Sequence, residues 1–86
     1  MPHIAVETVE EGLHPSEVVV TLRTADGKTE EVAVDRLLVE AKQLKAYPVG
    51  QERDRVLVEL PRETISGAWR VWMPKASVFG LTEAVS

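Results

Sequence analysis

The sequence contains no cysteine and very few aromatic residues, and these absences exclude several kinds of protein. Without cysteine there is no disulfide and no thiolate ligand or nucleophile, which fits a reducing compartment. The five glycines are scattered, so there is no glycine-rich phosphate-binding loop. The aromatic residues are two tryptophans, one tyrosine and one phenylalanine. In a chain so poor in phenylalanine, the tryptophans are natural candidates to fill the core.

Long apolar runs are also missing. No stretch approaches the ~18–20 apolar residues that a membrane-spanning helix needs. The first residues, MPHIAVETVEEG, have neither the basic start nor the apolar run of a secretory signal. We therefore predict a cytoplasmic protein without membrane contact.

The length and composition predict one small globular domain covering residues 1–86. Charged residues make up 28% of the chain and hydrophobic residues 44%, which is ordinary for a globular protein. A domain of this size buries only about 60–65% of its unfolded surface, so its core is modest. Residues 1–3 and 82–86 are expected to be loose, because chain ends are the usual sites of disorder.

The net charge of −4 is unevenly distributed along the chain. Residues 1–41 carry nine acidic and three basic side chains, whereas residues 42–86 carry five acidic and seven basic ones. An acidic chain argues against a protein that coats nucleic acid. The asymmetry has two interpretations: an uneven solvated surface, or two faces of opposite sign that pair with an anionic partner or a second copy of the chain.

The stretch SEVVVTLRTADGKTEEVAVD predicts a β-hairpin. Apolar and polar residues alternate with the period of two that a half-buried strand requires, over 17–24 and again over 29–35. Asp26 and Gly27 supply the positive φ angles of a tight turn between them. The inward set is Val18, Val20, Leu22, Val32 and Val34.

The segment 36–46 is ambiguous between helix and strand. Leu37, Leu38, Ala41 and Leu44 have helical spacing, and Asp35 precedes them as a candidate N-cap. We predict a short helix or helical turn here, with Arg36 and Glu40 forming an i, i+4 ion pair.

A second hairpin is predicted from RVLVEL and WRVWMP. Val56, Val58 and Leu60 alternate on one strand, and Trp69, Val71 and Met73 alternate on the other. Because proline cannot donate a sheet hydrogen bond, the second strand should end near Met73 and give way to a single helical turn over PKAS.

A weak internal repeat connects the two hairpins. VVVTL…EVAVDRLLV aligns with VLVEL…RVWMPKASV, which suggests two strand–turn–strand–turn units packed on each other. The predicted fold is mainly β, a curled sheet or partly open barrel of about five strands from two hairpins, with one short helix or helical turn. The strand, proline, short turn and valine of WRVWMPKASV resemble the closing segment of Src-homology-type small barrels. The acidic loop and aromatic pair that those domains use for peptide binding have no counterpart in the sequence.

Residues with the context needed for catalysis or metal binding are lacking. His3 and His14 have no partner at a ligand or triad spacing, and there is no cysteine to join them. The serines have no neighbouring base, and the carboxylates fall at turns and solvent-facing strand positions. We predict no enzyme activity, no metal and no cofactor, with a small enzyme as the remote third interpretation.

Binding has better candidates, because tryptophan and arginine are enriched in protein–protein hot spots. Arg70 and Trp72 alternate with Val71 and Met73, so they should share the opposite face of their strand. The predicted partner-binding residues are Tyr47, Arg55, Arg70, Trp72 and Lys75. The competing interpretation places the tryptophans in the core, and we assign Trp69 there.

The predicted function is a noncatalytic binding or assembly module for protein contacts or self-association. Val19 and Leu57 are apolar residues on the faces opposite the inward sets, which has two interpretations: they lie under the predicted helix, or they form a contact between two copies of the chain in a homodimer. The alternative is a small nucleic-acid-binding barrel that uses the basic, aromatic C-terminal half.

Overall fold

The structure, a computed structural model, describes residues 2–80 and consists mainly of short antiparallel β-strands. These residues form ten strands and two single-turn 3₁₀ helices, rather than the five strands expected from the sequence. Their bounds are β1 His3–Ala5, β2 Thr8–Glu11, β3 Glu17–Arg23, β4 Thr29–Asp35, η1 Arg36–Leu38, β5 Val39–Glu40, β6 Gln43–Lys45, β7 Tyr47–Glu52, β8 Arg55–Glu59, β9 Arg70–Pro74, η2 Lys75–Ser77 and β10 Val78–Phe79.

The strands form three small sheets. Sheet A has the order β10-β1-β6-β5, sheet B the order β2-β3-β4 and sheet C the order β7-β8-β9. The mainly β fold is confirmed, and none of the three sheets is closed into a barrel within residues 2–80. In this same part of the chain, no helix is both long enough and apolar enough to cross a bilayer.

The first predicted hairpin is confirmed as β3 and β4. Val18 lies opposite Val34 and Val20 opposite Val32, and all four are at most 2% exposed. The alternation that predicted these strands therefore also determines which side of sheet B faces the core.

The turn of this hairpin is held by a buried threonine. The Thr24 N–H donates to the Lys28 carbonyl at 2.8 Å, and the Gly27 N–H donates to the Thr24 carbonyl at 3.0 Å. The Thr24 hydroxyl donates to the Asp26 carboxylate, which lowers the pKa of Asp26. Gly27 adopts a φ of +82°, as predicted, whereas Asp26 is outside the left-handed region.

The second predicted hairpin is confirmed as β8 and β9. Val56 lies opposite Met73 and Val58 opposite Val71, and these four side chains form the buried side of sheet C. Strand β9 runs to Pro74 and η2 follows immediately, which confirms the predicted helical turn over this proline-containing segment.

The connection from β8 to β9 contains a turn with the same hydrogen bonds as the turn between β3 and β4. The Thr64 N–H donates to the Ala68 carbonyl at 2.8 Å, and the Gly67 N–H donates to the Thr64 carbonyl at 2.9 Å. Thr64 is buried, its hydroxyl lies 3.0 Å from that of Ser66, and Gly67 has a φ of +94°. TADGK and TISGA therefore form the same threonine-and-glycine turn.

The predicted helix over 36–46 is largely wrong. Only Arg36–Leu38 forms a helical turn, capped as predicted by Asp35, whose carboxylate accepts a hydrogen bond of 2.9 Å from the Leu37 N–H. The chain then forms β5 and β6, which pair through a reversal at Ala41 and Lys42, both with positive φ. The β-branched Val39 packs opposite Leu44 in this pair instead of continuing a helix.

The predicted Arg36–Glu40 ion pair is also wrong. Arg36 instead reaches back to Glu11, with 2.6 Å between the guanidinium and the carboxylate, and this contact lowers the pKa of Glu11. Its Nε donates to the Pro15 carbonyl at 3.1 Å. The arginine thus joins η1 to the loop after β2.

The weak internal repeat corresponds to two structural units, residues 3–40 and 43–79. Each unit consists of a short strand, a three-stranded sheet, a 3₁₀ turn and a final two-residue strand. Both turns begin with the same bond: the Arg36 N–H donates to the Ser16 carbonyl at 2.8 Å, and the Lys75 N–H donates to the Asp54 carbonyl at 2.8 Å.

The two units are joined in sheet A by exchange of strands. Strand β1 of the first unit pairs with β6 of the second at the centre, and each unit's last strand pairs with the other unit's first strand. Ile4 lies opposite Leu44 at this centre, and both are fully buried. His3, expected in a loose terminus, lies in β1, while residues 82–86 are outside the described residues.

The two threonine turns add a second connection between the units. The Ala25 N–H donates to the Trp72 carbonyl at 2.7 Å, and the Ile65 N–H donates to the Glu31 carbonyl at 2.8 Å. Each turn is thereby bonded to the second hairpin strand of the other unit.

Gly27→Val should destabilise the protein by about 1–3 kcal/mol, because a β-branched residue is strained at positive φ. Nothing lies within 4 Å of a Cβ at this position, so the cost is conformational and does not come from a clash. Chemical denaturation measures it, with Lys28→Val in the same turn as the control. An unchanged free energy of unfolding would contradict the role assigned to Gly27.

Leu44→Ala should cost about 2–5 kcal/mol, since it removes a fully buried side chain from the junction of the two units. Leu37→Ala is the matched control, because Leu37 is 85% exposed and its loss should cost less than ~0.5 kcal/mol. Thermal and urea unfolding compare the two. Equal costs would show that sheet A does not join the units.

Candidate binding face on sheet C

Three aligned strands place the candidate site on the side of sheet C that faces away from the core. Because alternate residues point to opposite faces, burial of Val56, Val58, Val71 and Met73 turns their neighbours outward. The outer face of sheet C consists of Tyr47, Glu52, Arg55, Leu57, Glu59, Arg70 and Trp72.

The middle row of this face is apolar. Leu57 lies opposite Trp72 on one side and opposite Gly50 on the other. A Cβ at Gly50 would lie 3.6 Å from the Leu57 Cβ, so the missing side chain leaves Leu57 accessible from the β7 side. Leu57 and Trp72 are both half-buried, and they form the apolar centre of the face.

Arg55 covers one side of this centre. Its guanidinium carbon lies 4.5 Å from the centroid of the Trp72 ring, within the range of a cation–π contact. The same guanidinium pairs with Glu52 at 2.6 Å. The stack and the ion pair together fix the arginine, so the orientation of the indole is also restricted.

The row on the other side of the centre contains Tyr47, Glu59 and Arg70, which lie opposite one another on β7, β8 and β9. The closest Arg70–Glu59 approach is 4.0 Å, so this ion pair is loose. Tyr47 is 53% exposed. This row therefore adds an exposed aromatic ring and an arginine whose donors are largely unused.

The outer face of sheet C is electrically neutral. Arg55 is matched by Glu52, and Arg70 by Glu59. The basic surplus of residues 42–86 is consequently not concentrated around Trp72, although the sequence suggested this.

Four of the five predicted binding residues come together on this face: Tyr47, Arg55, Arg70 and Trp72. Lys75 lies just beyond it, at the start of η2, where its backbone is bonded to Asp54 in the β7–β8 turn. The sequence interpretation missed the two glutamates of the face, although alternation along β8 already placed Glu59 beside Leu57 and Arg55. The role of the five predicted residues in partner binding stays a prediction.

Trp69 is not in the core, contrary to the prediction. It precedes the first residue of β9, and its side chain is 52% exposed. Alternation turns it away from Arg70 and Trp72, but the buried part of the strand begins only at Val71. The Trp69 carbonyl accepts a hydrogen bond of 2.9 Å from the Leu60 N–H, so the residue closes the β8–β9 connection.

The corresponding side of sheet B has the same layout but different chemistry. Alternation along β2, β3 and β4 places there Thr8, Glu10, Glu17, Val19, Thr21, Arg23, Thr29, Glu31, Ala33 and Asp35, the outer face of sheet B. Its centre is occupied by Val19 and Ala33, which lie opposite each other and are half-buried. Glu17 pairs with Arg62 at 2.9 Å.

No three His, Cys, Asp or Glu side chains of residues 2–80 converge as potential metal ligands. His14 is exposed in the β2–β3 loop, whereas His3 is part of sheet A. Comparisons with protein-family models, curated proteins and solved structures gave no match.

Val71 and Trp72 should respond differently to truncation although they are adjacent. Val71→Ala should cost about 1–3 kcal/mol, because it removes a buried side chain and leaves a cavity. Trp72→Ala should leave a folded domain, with a cost well below the ~3–5 kcal/mol of a core tryptophan. Denaturation at low protein concentration, where self-association makes no contribution, compares them. Collapse of the diluted Trp72 variant would contradict the outward placement of this residue.

Proposed function

We propose that the protein is a noncatalytic binding or assembly module and that the outer face of sheet C is its protein-contact surface. The observation that carries this proposal is the Leu57–Trp72 pair, which lies on the side of the sheet away from the core and is covered only partly, by Arg55. The accessible part of this indole is apolar and, because Arg55 restricts the ring, needs little reorganisation on binding.

The outer face of sheet C has the composition and layout of a protein–protein hot spot. Such sites combine a tryptophan, tyrosine or arginine anchor with a polar rim that excludes water. Here Trp72 and Leu57 are the apolar centre, and the rim is formed by Arg55 with Glu52 and Arg70 with Glu59. The close Arg55–Glu52 ion pair also holds its two rim side chains in place, which reduces the entropy lost on binding.

The nucleic-acid alternative is less well supported. Stacking on a single strand requires aromatic rings within a basic groove, but each arginine of this face has a glutamate partner. The exposed Tyr47 and Trp69 are the observations that favour it.

Two more specific predictions, one on the arrangement of the sheets and one on the cellular location, accompany the proposal. A Src-homology-like arrangement would require the small sheets to curl into a partly open barrel, and its support is limited to the Pro74, η2 and Val78 segment. A cytoplasmic location is supported by the absence of cysteine.

Trp72→Ala should weaken partner binding by ~2 kcal/mol, about thirtyfold, while the domain stays folded. Trp69→Ala is a closely matched control, because it removes the same side chain from a more exposed position outside the face. The measurements are self-association by sedimentation velocity and quantitative affinity capture from an extract of the native cell. Equal binding by both variants and the wild type would refute the proposed contact surface.

A labelled single-stranded oligonucleotide tests the alternative by fluorescence anisotropy. The proposal predicts no measurable affinity near physiological salt. Binding that weakens steeply between about 50 and 200 mM salt would favour the nucleic-acid function instead.

A further inference from the structure

We propose that the partner of the outer face of sheet C is the outer face of sheet B on a second copy of the same chain. This inference rests on the proposed function, and it names the occupant of that surface. The two faces belong to equivalent sheets of the two structural units, so they have the same strand layout.

The first hairpin strands carry Arg55 in the second unit and Glu17 in the first, but these side chains already pair with Glu52 and Arg62. The second hairpin strands carry Arg70 in the second unit and Glu31 at the equivalent position of the first, two charges of opposite sign. Such opposition across an interface favours association and fixes its orientation.

The charges needed for this contact are available. Within residues 2–80, the carboxylates of Glu10 and Glu31 form no ion pair. Arg70 contacts Glu59 only at 4.0 Å, and a guanidinium has five donors. A carboxylate from a second copy can therefore join the Arg70–Glu59 pair without displacing it.

The apolar centres are complementary in size. The outer face of sheet C presents Leu57 and Trp72, whereas the equivalent positions on sheet B carry the smaller Val19 and Ala33. A large side chain of one face can lie on the small ones of the other, whereas contact between two outer faces of sheet C would set two large indoles against each other. The geometry therefore favours contact between unlike faces.

Contact between unlike faces allows assembly beyond a dimer. After the first contact the pair still has one free face of each kind, one on each copy, so association continues head-to-tail into rings or open chains. A contact between two identical faces would instead stop at a dimer.

Sedimentation velocity over a concentration series tests the inference with three variants. Trp72→Ala alters the face on sheet C, Glu31→Arg alters the face on sheet B, and Glu40→Arg is a charge-matched control on sheet A. The wild type and the control should grow beyond dimers, whereas each face variant should associate at least tenfold more weakly. An equimolar mixture of the two face variants should form a heterodimer and stop there, because only one intact pair of faces remains.

Two results would overturn the inference. One is a mixture that associates no better than its components; the other is a wild type that stays monomeric at all concentrations. If a monomeric wild type captures another protein through Trp72 but not through Glu31, the proposed function stands and the second copy is excluded as the partner. If Trp72→Ala changes neither self-association nor capture, the proposed function fails as well.

Discussion

The pairing of β1 with β6 is the contact on which the rest of the structure depends. It places Ile4 against Leu44 at the fully buried centre of sheet A, where the two structural units meet. Because each unit's last strand pairs beside the other unit's first strand, neither half completes sheet A alone. For so short a chain, exchange of strands creates one shared core where two separate ones would each be too small.

The two units share one backbone plan but differ in their outward surfaces. The buried threonines of the two turns, the positive φ of Gly27 and Gly67, and the bonds that begin η1 and η2 are the same in both. The positions that face outward differ, because nothing in the core constrains them. Sheet B consequently presents small apolar residues together with several carboxylates, and sheet C presents a leucine and a tryptophan between two arginine–glutamate pairs. The proposed function and the proposed self-association both arise from this difference.

The sequence predicts the parts of the fold in which residue pattern and backbone geometry agree. Strict alternation identified both hairpins and their buried sides, and the glycine of ADGK marked the first turn. The reversal between β5 and β6 could not be found in this way. Ala41 and Lys42 adopt positive φ there, whereas such turns usually contain glycine or asparagine.

The candidate site was predictable to a similar extent. Alternation around Val71 placed Arg70 and Trp72 on one face, but it cannot locate the end of the core, so Trp69 was wrongly assigned to the interior. The neutrality of the face depends on pairs such as Arg70 with Glu59, on neighbouring strands. Net charge along the chain carries no information about such pairs until the strand register is known.

Self-association through Trp72, and not through the more exposed Trp69, can be measured directly. The two indole N–H signals in ¹H–¹⁵N correlation spectra report this directly, since each tryptophan contributes one. On dilution, we expect the Trp72 signal to shift or sharpen as the contact dissociates, while the Trp69 signal stays unchanged. A shift confined to Trp69, or two signals that do not depend on protein concentration, would contradict self-association through Trp72.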